Sequence, residues 1–196
     1  MSEAAFQSAF VRLVTDEAFL NQMRSEAVPE IDGLSEGEAD GLKALARVPG
    51  LNVMRKLHLG FRLNKLLSML PLTCRLLGQV RLAAEARAFW EMRPSASFYF
   101  LEEAEAFAVH LQERRNTGLR AAYLGDVLAY ESALLMLKRP RAASAEAPVV
   151  KVGFRYDPQT LLLMVQQGVP PRRIPRAHVE LLGWADEQGE VHWTAA

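Results

Sequence analysis

The stretch Val149-Val150-Lys151-Val152-Gly153-Phe154-Arg155-Tyr156-Asp157-Pro158 decides the fold. Val150, Val152, Phe154 and Tyr156 fall on one side, and Lys151, Gly153 and Arg155 on the other. A period of two with apolar residues on one side marks a half-buried strand. Asp157-Pro158 then reads as an N-cap followed by a proline at the first helical position, with Gly168 past the far end, so residues 159–167 form a short helix. Val169-Pro170-Pro171 stops it. Residues 177–184 and 190–194 read as two more strands, joined by the turn Asp186-Glu187-Gln188-Gly189. Pairing Ala185 with Glu190 would put Leu182, Trp184, Val191 and Trp193 on one face. The tail is thus a β-α-β-β module with a three-stranded antiparallel sheet, too small to be stable without a surface to pack on.

Upstream the period is that of a helix. Phe6, Phe10, Leu13 and Val14 recur at three- and four-residue steps. Asp16 caps a second helix carrying Phe19, Leu20 and Met23, which Val28-Pro29 ends. Ser35 and Glu38 form a capping box that opens a helix to Arg47, and Pro49-Gly50 reads as a break. A long helix over 51–70 is apolar on two faces, which places it at the centre of the bundle. Pro71 opens or kinks the next, to about Met92, and Arg93-Pro94-Ser95 breaks it. Ser97 caps a helix over 98–115, and 120–138 forms the last long one. Residues 141–147 read as a linker. The fold class is therefore α+β, with a helical bundle over 1–140 and the small module over 148–196.

Composition narrows the function. The 196 residues are half hydrophobic, enough for a sizeable core, and 23 basic groups balance 23 acidic ones. No net field draws the chain to nucleic acid or an anionic membrane. The balance is uneven, with a net of −5 over residues 1–50 and +6 over 51–93. That second block faces either an acidic partner or solvent and the acidic first block. Cys74 is the one cysteine, which suits a reducing cytoplasm. No apolar run approaches the ~20 residues of a membrane span.

The residues that carry chemistry do not converge. His58, His110, His178 and His192 show no ligand spacing, and the assumed hairpin pairing sets His178 and His192 on opposite faces. Cys74 sits on an inner helix as a buried thiol. Glu102, Glu103 and Glu105 lack the Glu-x-x-His step of a di-iron site and read as a solvated face. Asp126 and Glu131 lie in an otherwise apolar helix and read as buried structural charges paired with Arg62, Arg75 or Arg81. The expectation is a chain with no catalytic residues, metal ligands or cofactor of its own.

One set of segments goes further. Residues 70–78 (Leu-Pro-Leu-Thr-Cys-Arg-Leu-Leu-Gly) are followed by Phe89-Trp90, Arg93-Pro94, the run 97–107 (Ser-Phe-Tyr-Phe-Leu-Glu-Glu-Ala-Glu-Ala-Phe) and the run 123–131 (Tyr-Leu-Gly-Asp-Val-Leu-Ala-Tyr-Glu). In order and element type, residues 50–196 resemble the helical proteins encoded beside iron-dependent peptide-modifying enzymes. By length and β-rich tail they are most similar to the C proteins of methanobactin biosynthesis. The resemblance implies a heterodimer with a TIM-barrel oxygenase that holds a multinuclear iron centre. That complex uses dioxygen to convert cysteines of a ribosomally made precursor peptide to oxazolone and thioamide groups, in making a copper chelator. The helical subunit holds no iron and recognises the leader of the peptide. A broader group of relatives described as DNA-binding shares the helical part, so a helical DNA-binding or regulatory protein is the alternative.

An unpaired sheet edge is a physical route to such recognition, since it accepts a peptide as an added strand. The hairpin supplies candidates: Glu180, Leu182, Trp184, Glu190, Val191, His192 and Trp193. The tryptophans either anchor a peptide or pack the sheet on the bundle, and the sequence leaves open which strand is the edge.

Overall fold

The computed structural model describes residues 3–25, 31–93, 99–139 and 148–196. The order of elements is α1 (Glu3–Thr15), α2 (Glu17–Arg24), α3 (Glu36–Arg47), α4 (Pro49–Met69), α5 (Pro71–Met92), α6 (Phe100–Thr117), α7 (Leu124–Leu137), β1 (Val150–Tyr156), α8 (Pro158–Gln166), β2 (Arg176–Ala185) and β3 (Val191–Ala195). The three strands form one antiparallel sheet in the order β1-β2-β3. The fold is α+β, helical first and then the small sheet. No helix among the described residues is long and apolar enough to cross a membrane.

The helix starts follow their caps. Asp16 accepts from the Phe19 N–H, and Ser35 with Glu38 makes a reciprocal capping box. Asp157 accepts from the Thr160 N–H with Pro158 in the first turn. Pro49-Gly50 is not a break: the chain turns at Val48 and Pro49 opens α4, where the missing N–H costs nothing. Pro71 likewise opens α5, and Gly78 at φ 70° kinks that helix. α6 begins at Phe100 after Tyr99, which makes no side-chain cap bond. α7 begins at Leu124 rather than 120, because Tyr123 takes a left-handed conformation at φ 65° and ends the turn before it. The stops read at Val28-Pro29 and Pro94-Ser95, the Ser97 cap and the linker at 141–147 lie outside the described residues.

Two compact units divide the chain. One comprises Met1–Asn64 with Trp90–Ala96, the other Lys65–Phe89 with Ser97–Ala196. The first is built on Leu13, Phe19, Met23, Leu42 and Ala46, and Arg55 of α4 donates to the Leu13 and Val14 carbonyls at the end of α1. In the second, the sheet lays Val150, Val152 and Phe154 on Ala133 and Leu137 of α7, while Leu161 and Val165 of α8 join Val127 and Ile174. The sheet thus shares a unit with α6, α7 and most of α5.

The placement of α4 at the centre of the bundle is corrected. Val53, Met54, Leu57, Leu59, Phe61 and Leu67 are exposed, and its buried positions include Arg62 and Lys65. The Lys65 ammonium is satisfied by Glu103 at 3.2 Å, and the Arg62 guanidinium lies over the Trp90 ring, so two long charged side chains are buried on this helix along with Leu51 and Leu66.

Candidate peptide-binding sheet edges

The hairpin register differs by one residue from the sequence reading. Ala185 pairs with Val191, not Glu190, and Trp184 faces His192 while Gly183 faces Trp193. The loop is a three-residue one: the Gly189 N–H returns to the Asp186 carbonyl at 3.1 Å, and Gly189 takes φ 82°. A shift of one residue exchanges the faces. Leu182 and Trp184 therefore do not share a face with Val191 and Trp193. Val191 and Trp193 join Leu181 against the helices, and the Trp193 ring stands 5.1 Å from that of Tyr130. Glu180, Leu182, Trp184 and His192 turn to the opposite face, where Trp184 stacks on His192 and Lys151 pairs with Glu180. His178 lies on that face too, so it shares a face with His192, far along the sheet.

Gly183 is what lets Trp193 lie flat across the sheet. A Cβ at that position would sit 2.5 Å from the indole ring. Asp186 holds the hairpin loop: one oxygen accepts from the Gln188 and Glu190 amides and the other meets His192 Nε2 at 2.8 Å. The His192 contact, then these amides, hold its carboxyl below the ordinary value. Asp186, Glu190 and His192 are the one group of potential metal-ligating side chains brought together among the described residues. The loop already engages both oxygens of Asp186.

The two outer edges follow from the ladder. The Ala196 N–H donates to the Glu180 carbonyl, and the Asp186 N–H to that of Glu190. These bonds make the even-numbered residues of β3 the ones that bond to β2. Val191, Trp193 and Ala195 then turn their N–H and C=O groups outward. By the same alternation Lys151, Gly153 and Arg155 turn theirs outward from β1. No described strand pairs with either edge.

On β1 the outward groups are met at one end. Asp126 of α7 accepts from the Arg155 N–H at 2.8 Å, the Tyr156 N–H at 3.2 Å and Arg155 Nε at 3.0 Å. Its sequence-based partners, Arg62, Arg75 and Arg81, are thus replaced by Arg155. Glu131 is also buried, as expected, but it too meets other groups: its two oxygens accept from the Leu72 and Thr73 N–H groups, each at 2.7 Å. It caps α5 from another helix, just behind Pro71. Burial raises its carboxyl above the ordinary 4.5, with the bonds from Thr73 and Leu72 pulling the other way and Arg75 adding to them.

The other groups weighed for chemistry are dispersed. His110 is buried between Phe89 and Phe107 with Glu85 at 3.3 Å, and Glu85 also takes Arg114. Glu105 pairs with Arg139 instead of His110. Cys74 is buried beside the Leu66 carbonyl, and burial pushes its thiol up to about 12.

One feature was not anticipated. A groove of about 520 Å³ runs between α6 and α7, floored by Leu128 and Leu135 and walled by Val109 and Met136, with the Glu105–Arg139 pair and Pro148 at one end. Only the crossing of two helices creates it, and no periodicity within either helix announces it.

No protein-family model matches the chain, and no curated protein is significantly similar to it in sequence.

Proposed function

We propose that this chain is a non-catalytic recognition subunit that takes an extended peptide as an added strand on its C-terminal sheet. The observation that carries this is the sheet itself, three strands held on α7 and α8 with outward backbone groups on both outer strands and no described strand pairing with them. Such an edge supplies main-chain hydrogen bonds for affinity, and neighbouring side chains supply choice.

The partner and the peptide come from the sequence resemblance. The partner is a TIM-barrel oxygenase with a multinuclear iron centre. The peptide is the leader of a ribosomally made precursor whose cysteines become oxazolone and thioamide groups of a copper chelator. This chain contributes binding and orientation, and the iron and dioxygen chemistry belongs to the partner. A carboxyl held up by burial, as Glu131 is, often marks a catalytic acid. Here both of its oxygens are engaged in holding a helix end, which supports a structural role.

Co-expression tests the reading. The chain is expected to co-purify with the TIM-barrel protein encoded beside it and to raise turnover of the adjacent cysteine-containing peptide. A partner that keeps its iron and its activity without this chain ends the proposal. Steep salt-dependent binding to DNA would favour the DNA-binding alternative instead.

A further inference from the structure

We infer that the peptide adds to the outer edge of β1, above the α6–α7 groove, and that Arg115 and Arg155 together clamp a carboxylate of that peptide. This rests on the strand-addition reading and decides which edge is used.

The groove and the edge are one surface. Arg155, at the C-terminal end of β1, is fixed to Asp126 at the start of α7. Pro148, just before β1, lines the groove beside Arg139 at the end of α7. The free edge of β1 therefore runs along the α6–α7 groove, with Lys151 and Gly153 turning their backbone groups toward it. An added strand there would hydrogen-bond to these two residues and drop alternate side chains onto Leu128, Ala129, Ser132 and Met136. The groove is lined from Leu128 to Arg139, about 17 Å of helical rise, which an extended segment of about five residues spans. The size of the groove is that of a ligand site. The two grooves described on this unit lie between α6 and α7 and beside Arg75, Val165 and Pro170, and neither is lined by β3.

The clamp is at the Arg155 end. A Cβ on Gly125 would lie 2.5 Å from Arg115 Nη2 and 2.9 Å from Arg155 Nη2, so both guanidiniums converge on the space that the missing side chain leaves. One carboxylate can bridge two donors that close, and charge-assisted bonds of this kind are the stronger class. The counter-charge is incomplete. Asp126 is taken up by Arg155 Nε and two amides, and among the described residues the one hydrogen bond that Arg115 donates goes to the neutral Gln112. Neither Nη2 has an acceptor among the described residues. Two cations sharing one anion favour a second anion, and a peptide lying on this edge passes directly over them. The opposite end of the groove is already neutral, since Arg139 is paired with Glu105. The occupant is therefore an extended segment that is apolar at alternate positions and carries Asp or Glu at one end.

The probe is a phage-displayed library of random ten-residue peptides, selected on the immobilised full-length chain. Selected sequences are expected to alternate in polarity and to fix an acidic residue at one end. Arg115→Gln leaves the Asp126–Arg155 pair intact and should weaken a selected peptide roughly tenfold or more. Lys151→Pro, which strips an outward N–H from β1, should abolish binding, while Ala195→Pro, the equivalent change on β3, should leave it unchanged. Circular dichroism confirms that each variant folds, and Gly153→Pro replaces Lys151→Pro if that variant does not. Binding that is lost in Ala195→Pro and insensitive to Arg115→Gln moves the peptide to β3 and overturns the inference, with strand addition intact. Enriched peptides without an acidic residue overturn the clamp. A library that yields no binder ends both the inference and the reading beneath it.

Discussion

Glu131 faces the start of α5 across a gap that its own helix does not control. With two amides donating to it, truncation to alanine leaves the Leu72 and Thr73 N–H groups buried without an acceptor. Glu131→Ala is expected to cost about 3 kcal/mol in urea unfolding, because two amide donors lose their acceptor at about 1–3 kcal/mol each. The pH dependence has a definite sign. Burial raises the folded carboxyl above 4.5, so its contribution is full below that value, where folded and unfolded chains are both protonated. As pH rises, the unfolded chain loses its proton first, and the advantage of wild type over Glu131→Gln should shrink through the raised folded pKa. Urea midpoints of the two proteins from about pH 4 to about pH 7 measure it. Cys74 gives a second check. A thiol pushed to about 12 and out of solvent should not react with an aromatic disulfide reagent at about pH 8 until the chain unfolds, when one thiol per chain appears. The burial of Asp126 and Glu131 was readable because a charge amid leucines has few other places to be. Their partners were not, since Arg155 lies 29 residues from Asp126 and Thr73 lies 58 from Glu131. Spacing along one helix holds no information about which backbone amides another element brings to it.

At the scale of elements, strands and caps were legible and the hairpin register was not. The alternation of Val150, Val152 and Phe154 is reproduced in burial because one side of β1 rests on α7 and the other on solvent. The register of β2 with β3 depends on whether Gly189 closes a three-residue loop or lengthens it, and the two cases differ by one pair. That single step decides whether Trp184 and Trp193 share a face or stand on opposite ones. Gly183→Ala tests the outcome. The added methyl meets the Trp193 ring and forces it off the sheet, which should destabilise the protein by about 1–3 kcal/mol. It should also raise the acrylamide quenching of one tryptophan. If Gly183→Ala leaves both stability and quenching unchanged, Trp193 does not lie across Gly183. The sheet-edge candidates fare unevenly under this register. Trp184 and His192 stand on the open face, whereas Val191 and Trp193 are committed to packing, and Arg115, Arg155 and the α6–α7 groove were not foreseen at all. Arg155 looked like one of three outward residues on a strand. What distinguishes it is Gly125, whose missing Cβ makes room for two guanidiniums.

At the scale of the molecule the question is whether the sheet is a separate module. Texture argues for it, because the helical period stops before residue 140 and the strand period starts after 148. Packing argues otherwise. Val150, Val152 and Phe154 bury Ala133 and Leu137, Asp126 is neutralised from β1, and Tyr130 lies against Trp193. Three strands of five to ten residues cannot enclose a core alone, so α7 serves as the second layer of the sheet. Removing residues 148–196 should then leave more than a shortened protein. It would expose the sheet-facing side of α7, with Tyr130, Ala133 and Leu137, and remove the β1 donors of the Asp126 carboxylate. The truncated chain ending at Ala147 is expected to bind a hydrophobic dye and to lose its cooperative thermal transition for the unit built on α6 and α7. The unit built on α1, α2 and α3 has its own core of Leu13, Phe19, Met23 and Leu42 and should keep its helicity. A truncated chain that melts as sharply as the full one, without dye binding, would mean that the sheet contributes nothing to the stability of α7. The peptide edge would then sit on a detachable module and not on the framework that positions Arg155 against Arg115.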